Sequence, residues 1–304
     1  MISTPEYVSK TERVSYKGVS FLVHLNSESE CSYWAKFSEG AWEPETLDVL
    51  AAEIRPGSRF VDIGAWIGPT TLFAAAIGAA VQAYEPDPIA RASLERNIWC
   101  NSSLERLIRV TPAALGTATG RAQIRSSILG DSMTSLTRSI PGLEEVTVDV
   151  VGVKGEVKAG NLEADFIKID VEGFEFQLVP SLLTALPKSP GLQILLSIHT
   201  YPTNDALDDR AARSRTFRIL PFVARRKLAI LLLVVPKARM LWHCRRFRSA
   251  SIARRNQPYW KHYTSRLRVA LATIVSGGEF ELWLRAEPGV ISGRPITGKS
   301  SVLE

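Results

Sequence analysis

Cysteine is scarce in this chain of 304 residues: Cys31, Cys100 and Cys244 are odd in number and widely spaced, with no C-x-x-C pair and no nearby histidine pair. Neither a disulfide framework nor a structural zinc site is expected. Long apolar runs are lacking as well. The run at residues 228–235 has eight residues, whereas a bilayer span needs about 20. The opening residues, MISTPEYVSKTERVSYKG, carry charge and contain no apolar core of signal-peptide length, so the expected location is the cytoplasm. The most telling absence is of acidic residues between Arg210 and Arg268, where 17 Lys or Arg stand without one Asp or Glu. Removing those 17 from the 37 basic residues leaves 20 against 31 acidic, a net of −11. The chain is therefore an acidic body carrying a basic insert.

With 45% hydrophobic and 22% charged residues the composition is that of a globular protein, and the length allows one large core or two modest ones. Alternating polar and apolar residues in RVSYKGVSFLVHL, with Gly18 at a turn, read as a short extended region at the N-terminus. WEPETLDVLAAEIRPG reads as a helix, opened by Pro44 and stopped at Pro56-Gly57. Strands then alternate with helices: RFVDI with PTTLFAAAIGA, AVQAYE with DPIARASLERNIWCN, then LIRVTPAAL, and later DFIKID with GFEFQLVPSLLTAL, closed by LQILLSIH. This order predicts an α/β, doubly wound, mostly parallel sheet covered by helices on both faces. Residues 116–164 are less regular and read as a small antiparallel excursion or an edge loop, while GGEFELWLRA reads as an antiparallel strand at the end of the sheet.

In such a sheet, ligands sit beyond the carboxyl ends of the strands. The first of these turns is RFVDIGAWIGPTT, with Gly64 at the sharp bend and Gly68 where the helix begins. The spacing is G-x-x-x-G, not the G-x-G-x-x-G of a dinucleotide site, and Asp62 would repel a diphosphate. Glu85 ends the second strand, 21 residues after Gly64, where a carboxylate can accept hydrogen bonds from both ribose hydroxyls. Asp62, Gly64, Gly68 and Glu85 together suit a nucleoside carrying an amino acid, S-adenosylmethionine.

FVDIGAWIGPTT, AYEPDP followed by LERNIWCN, and DFIKIDVEGFEFQLV resemble the three signature blocks of the FkbM family of S-adenosylmethionine-dependent methyltransferases, over residues 42–200. The resemblance implies a Rossmann-like class I methyltransferase fold with a seven-stranded sheet whose last strands form a hairpin. It further implies O-methylation of a hydroxyl on a sugar or other small metabolite. Residues 1–41 would be an N-terminal extended cap, and residues 42–304 a methyltransferase domain with a basic helical insert at about 202–266. Carried across, Asp62, Gly64, Ala65 and Gly68 would line the methionine end of the cofactor, Glu85 would hold the ribose, and Pro86 and Asp87 would flank it. Trp66 stands where the family has a small polar residue, and VVGVKGEV replaces the family's leucine-aspartate element before KIDVEG.

Asp170 ends the strand DFIKID and Glu172 follows, so both should face the transferred methyl group. An alcohol needs its proton accepted in the transition state. His199, at the end of LQILLSIH, is the first choice of base, with Asp170 orienting it or the substrate; Glu172 alternatively caps the helix that opens at Gly173. Asp170 and Glu172 also suit a hard divalent cation, but nothing in the sequence completes an octahedral set and no metal is assigned. The family's acidic residue two before the histidine is replaced by Ser197.

Three readings of the basic insert stay open. It is a helical lid packed on the body, a segment docking on an anionic membrane, or a grip on phosphate backbone. NQPYWKHYTSRLR, mixing aromatic and basic residues, suits stacking on single-stranded RNA or on a sugar ring. An RNA methyltransferase and a non-catalytic cofactor-binding scaffold are therefore the alternatives to a small-molecule O-methyltransferase.

Overall fold

The computed structural model of the chain describes residues 9–126, 130, 136, 144–187, 189, 191–199, 249–254, 261–263 and 280–285. Strands β1 (Lys10–Tyr16) and β2 (Val19–Leu25) form a hairpin. Its turn residues Lys17 and Gly18 both have positive φ, the geometry that matches the natural twist of paired strands. Residues 28–38, expected to be extended, instead form helix α1 (Glu28–Ser38). The Ser27 side chain accepts a hydrogen bond from Glu30 N, and Glu30 Oε2 in turn accepts from Asn26 N, so the helix start is capped from both sides. Helix α2 (Pro44–Glu53) follows.

The chain then alternates: β3 (Arg59–Ile63), α3 (Pro69–Ile77), β4 (Ala80–Tyr84), α4 (Pro88–Trp99), the short α5 (Ser102–Glu105) and β5 (Ile108–Thr111). The irregular stretch becomes a separate three-stranded sheet of β6 (Ala114–Gly116), β7 (Gly120–Ser126) and β8 (Glu144–Gly152) in the order β6-β8-β7, followed by α6 (Val153–Lys158). Next come β9 (Phe166–Ile169), α7 (Glu175–Ala185) and β10 (Gln193–Ile198), and finally β11 (Ser249–Arg254), β12 (Lys261–Tyr263) and β13 (Phe280–Arg285).

The central sheet has the order β12-β11-β13-β10-β9-β3-β4-β5. Its five strands from β10 to β5 are parallel and the other three antiparallel. This is the expected Rossmann-like α/β class, but with eight strands among the described residues rather than seven. The extra strand comes from the basic insert: its described parts, β11 and β12, are strands where a helical insert was expected. Pairing β11 against β13 satisfies main-chain groups that would otherwise form an open edge. The apolar run at 228–235 and the rest of residues 202–248 lie outside the described residues.

Alternation along the strands divides the core in two. Val61, Ile63, Ile167, Ile169, Leu196 and Leu282 pack with α7 on one face. Phe60, Phe166, Leu195, Trp283, Val81 and Ala83 pack with α2, α3 and the N-terminal hairpin on the other. The hairpin is tied on by two asparagines of the α4 region: Leu22 exchanges main-chain hydrogen bonds with the Asn101 amide, and His24 N donates to Asn97 Oδ1. Parallel register aligns Ile63 with Tyr84 and with Ile169, and Ile169 with Leu196. The residues just beyond these ends, Gly64, Glu85, Asp170 and His199, therefore converge on one edge of the sheet.

Candidate active site at the carboxyl ends of the strands

The turn after β3 is built on a close crossing. Gly64 and Ala65 both donate to Tyr84 O, at 3.0 and 3.2 Å, and Asp170 N donates to Ile63 O at 2.9 Å. Gly64 has φ +85°, and a Cβ there would stand 1.8 Å from the Asp170 carbonyl oxygen. Only glycine fits, so the tips of β3 and β9 touch directly.

A pocket opens over this crossing, lined by Gly64, Ala65, Glu85, Asp87, Asp170 and Glu172, with Pro86, Trp42, Trp66 and Lys168 among its other walls. Two expected cofactor residues do not line it. Gly68, the N-cap of α3 with φ +98°, is a packing glycine: a Cβ would meet Leu94 Cδ1 at 2.5 Å. Asp62 lies beneath the floor, fully buried, where its Oδ2 accepts hydrogen bonds from Thr70 and Thr71 hydroxyls, each at 2.7 Å. Thr70 itself reaches the pocket, so Asp62 acts on it through the hydroxyl. Asp62 Oδ1 is buried without a hydrogen-bond partner, and burial raises the pKa of this carboxyl.

Glu85 is the acidic residue the strand-end position called for. Its Oε2 accepts from Trp66 N at 2.7 Å and its Oε1 from Asp87 N at 2.8 Å. Burial nevertheless dominates and pushes its pKa up to about 7. Asp87 caps α4, with Oδ1 accepting from Ile89 N and Ala90 N, and its Oδ2 accepts from Gly130 N. Trp66, at φ +50°, packs edge-on against Tyr33 and donates from Nε1 to Gly130 O at 2.8 Å. The indole is thus held by two partners and forms a wall of the pocket.

The catalytic candidates come together as expected from the strand order. Lys168 is buried, and its Nζ lies 3.1 Å from Asp170 Oδ2. Burial alone would lower its pKa, but Asp170, Asp62 and Glu43 raise it well above the ordinary lysine value. His199 is buried with Nδ1 2.8 Å from Glu175 Oε1, while its Nε2 lies 3.4 Å from Glu172 Oε1 and 3.6 Å from Asp170 Oδ1. A carboxylate only accepts, so Nδ1 carries a hydrogen. Burial works against a charged ring, yet Glu175, Asp170 and Glu172 outweigh it and push the pKa up to about 10. At neutral pH this is an imidazolium, which has no lone pair for a substrate proton. The expectation that His199 is the base therefore does not suit this electrostatic setting; Asp170 and Glu172 are the groups that reach the pocket.

Sequence reading missed Glu175, although it lies inside the third signature block. Its Oε1 accepts from Val171 N, Gly173 N and His199 Nδ1, so one oxygen fixes both the loop carrying Glu172 and the imidazole. Glu172 enters this loop with φ +46°, a conformation held by that carboxylate. Ser197, where the family has an acid, donates to Glu281 Oε2 at 2.9 Å. A carboxylate is thus supplied beside the same position by the neighbouring strand β13.

Residues 62–205 match the family described as Methyltransferase FkbM domain. A 70-residue stretch is 37% identical to the ribosomal protein L11 methyltransferase of Bacillus cytotoxicus, covering 22% of this chain and 22% of that protein. The chain thus spans about a fifth of the length of the curated relative it matches. Among solved structures, similar chains include the methyltransferase FkbM of Methylobacillus flagellatus KT (16% identity, 75% of this chain and 43% of that one, TM-score 0.39). Another is the fibrillarin of Aeropyrum pernix in complex with natively bound S-adenosyl-L-methionine (11% identity, 93% of this chain and 85% of that one, TM-score 0.38).

Proposed function

We propose that this chain, whose residues 62–205 match the methyltransferase FkbM domain, is an S-adenosylmethionine-dependent O-methyltransferase acting on a hydroxyl of a glycan or other small metabolite. The observation that carries the reading is Glu85, a buried carboxylate just beyond the end of β4 that lines the pocket and is held there by Trp66 N and Asp87 N, where a pair of ribose hydroxyls can donate to its remaining lone pairs. The acidic floor fits a cofactor with an ammonium and a sulfonium: Asp62 Oδ1 is buried without a partner, and Thr70, oriented by Asp62, reaches the pocket.

S-adenosylmethionine, when bound, supplies an activated methyl group on sulfur. The protein's share is to place a hydroxyl in line with that group and to take its proton. Glu172 is suited to accept the proton because it is a carboxylate that lines the pocket beside Asp170, which is engaged by Lys168 at 3.1 Å. Asp170 holds the hydroxyl, and His199 and Glu175 keep the loop in place. No helix among the described residues is long and apolar enough to cross a membrane. The 17 basic residues dispersed without an acidic one between Arg210 and Arg268 favour RNA as the second substrate reading.

Incubation of the full chain with radiolabelled S-adenosylmethionine and a fractionated cell extract tests both. Label in a glycan or small-metabolite fraction supports the proposal; label in RNA supports the second reading; and failure to bind S-adenosylhomocysteine by calorimetry removes both.

A further inference from the structure

Glu85 is held by both of its oxygens, and the two residues that hold it meet again at a third. Oε2 accepts from Trp66 N at 2.7 Å and Oε1 from Asp87 N at 2.8 Å. The side chains of these same two residues grip Gly130 from either end: Trp66 Nε1 donates to Gly130 O at 2.8 Å, and Gly130 N donates to Asp87 Oδ2 at 2.7 Å. Four hydrogen bonds thus close a ring through Glu85, Trp66, Gly130 and Asp87. Gly130 does not itself line the pocket, whereas the other three do.

The backbone of the ring is strained at two of its corners. Trp66 has φ +50°, in the left-handed region that side chains other than Asn and Asp rarely enter. Such a conformation persists only where its surroundings over-determine it. Here the indole packs edge-on against Tyr33, with 4.5 Å between ring centroids, and is bonded to Gly130, while the main-chain N–H of the same residue is aimed at Glu85. Gly130 has φ +91°, and a Cβ there would stand 2.6 Å from Ile89 Cγ2 and 3.2 Å from Ile89 Cβ. Ile89 N donates to Asp87 Oδ1, so a methyl at position 130 would press on the residue that anchors the other end of the ring.

We infer that Trp66, Asp87 and Gly130 are positioning residues for the cofactor, joined in a ring that presents the Glu85 carboxylate to the ribose hydroxyls of S-adenosylmethionine. The ligand in this inference rests on the methyltransferase reading; the coupling of Gly130 to Glu85 does not. The two main-chain bonds favour the ionised carboxylate against burial and against Asp87 and Asp62, the charged groups that face it. Opening the ring at Gly130 weakens those bonds, raises the Glu85 pKa above its value of about 7, and leaves less of the carboxylate able to accept hydroxyls at neutral pH.

The test compares the full-length wild type, Trp66→Phe, Gly130→Ala and the double variant by calorimetry with S-adenosylhomocysteine across about pH 6 to 9. Phenylalanine keeps an aromatic ring against Tyr33 and lacks the Nε1 donor. Each single variant should lose affinity about fivefold or more at neutral pH, the effect of one lost hydrogen bond. As the pH is lowered, its binding should fade at a higher pH than that of the wild type. The double variant should lose no more than the weaker single one, because either change opens the same ring. Gly57→Ala, at a left-handed glycine outside the ring with open space around it, should keep the wild-type affinity and pH profile. Circular dichroism confirms folding; if Gly130→Ala does not fold, the pH profile of Trp66→Phe decides. Wild-type binding with single variants unchanged in affinity and pH profile overturns the inference, as do additive losses without a pH shift. A wild type that binds no S-adenosylhomocysteine removes the methyltransferase reading. The ring is then read by nuclear magnetic resonance titration of Glu85 in the ligand-free protein, where a pKa raised in both variants supports the coupling and an unchanged one overturns it.

Discussion

Replacing Gly64 by alanine is the sharpest perturbation of the crossing between β3 and β9, and two other glycines calibrate it. Gly57 has φ +84° with nothing within 4 Å of where an alanine methyl would stand, so Gly57→Ala carries only the cost of a left-handed backbone, about 1–2 kcal/mol. Gly120 in β7 has open space and no positive φ, so Gly120→Ala should be neutral or gain up to about 1 kcal/mol. Gly64→Ala bears the same backbone cost at φ +85°, and its methyl would stand 1.8 Å from the Asp170 carbonyl oxygen. One of the two backbones must retreat by roughly an ångström or more, which adds an overpacking cost of about 1–3 kcal/mol. The total, about 2–5 kcal/mol, is a large share of the roughly 5–15 kcal/mol stability of a typical fold. Urea denaturation at 25 °C should rank the three as Gly120→Ala, Gly57→Ala and Gly64→Ala, from most to least stable. Calorimetry should show a tenfold or greater loss of S-adenosylhomocysteine affinity in Gly64→Ala alone, because the displaced β9 tip carries Asp170 into the pocket wall. If Gly64→Ala matched Gly57→Ala in stability and kept full affinity, the direct contact of the two tips would not exist.

Glu85, with a folded pKa of about 7 against an ordinary 4.5, destabilises the ligand-free fold when ionised. That cost is absent below pH 4.5 and complete above about pH 7, where the shift corresponds to roughly 3 kcal/mol. Cofactor hydroxyls favour the ionised form, so S-adenosylhomocysteine affinity should fall as the pH drops below 7, with proton release seen as buffer-dependent heats. His199 has the opposite sign: its pKa is raised from 6.5 to about 10, so its stabilisation is complete below pH 6.5 and lost as the pH rises through 10, at most about 5 kcal/mol. Nuclear magnetic resonance titration should find this imidazole protonated past pH 8, and Glu175→Gln should bring its pKa down. Asn97→Ala removes the acceptor for His24 N at 2.8 Å and the donor to Ile67 O at 2.9 Å, and should cost about 2–4 kcal/mol in urea denaturation.

The alternating part of the fold was legible because β3, β4 and β9 are short apolar runs followed by glycine, proline or acidic punctuation, and β10 is a mostly apolar run that stops before His199. Glu85 and Asp170 were legible for the same reason: a strand end fixes where a side chain must be. Helix α1 was missed although Ser27 and Glu30 spelled out its cap, since the alternating hairpin before it invited an extended reading. The roles of Gly64 and Gly68 could not be separated by spacing, because what distinguishes them is the neighbour each touches, Asp170 in one case and Leu94 in the other. Glu175 and Glu281 were invisible as site residues for a similar reason. Their partners His199 and Ser197 lie 24 and 84 residues away, and nothing local marks a carboxylate that works by orienting something else. Strand β11 takes its form from pairing with β13, and β12 in turn from pairing with β11.

The asparagines that fasten the N-terminal hairpin also occupy one of its open borders. A two-stranded ribbon has two open borders, each able to template a strand from another molecule. Here the β2 border is occupied at Leu22 and His24 by Asn101 and Asn97, which imitate the hydrogen bonding of a further strand without being one. The β1 border carries Lys10, Glu12 and Arg13, all exposed, and their hydration makes stacking of a second ribbon unfavourable. The hairpin that packs on α3 and α4 thus has its β2 border satisfied by side-chain mimicry of a strand and its β1 border flanked by charge, two devices that disfavour growth of the ribbon.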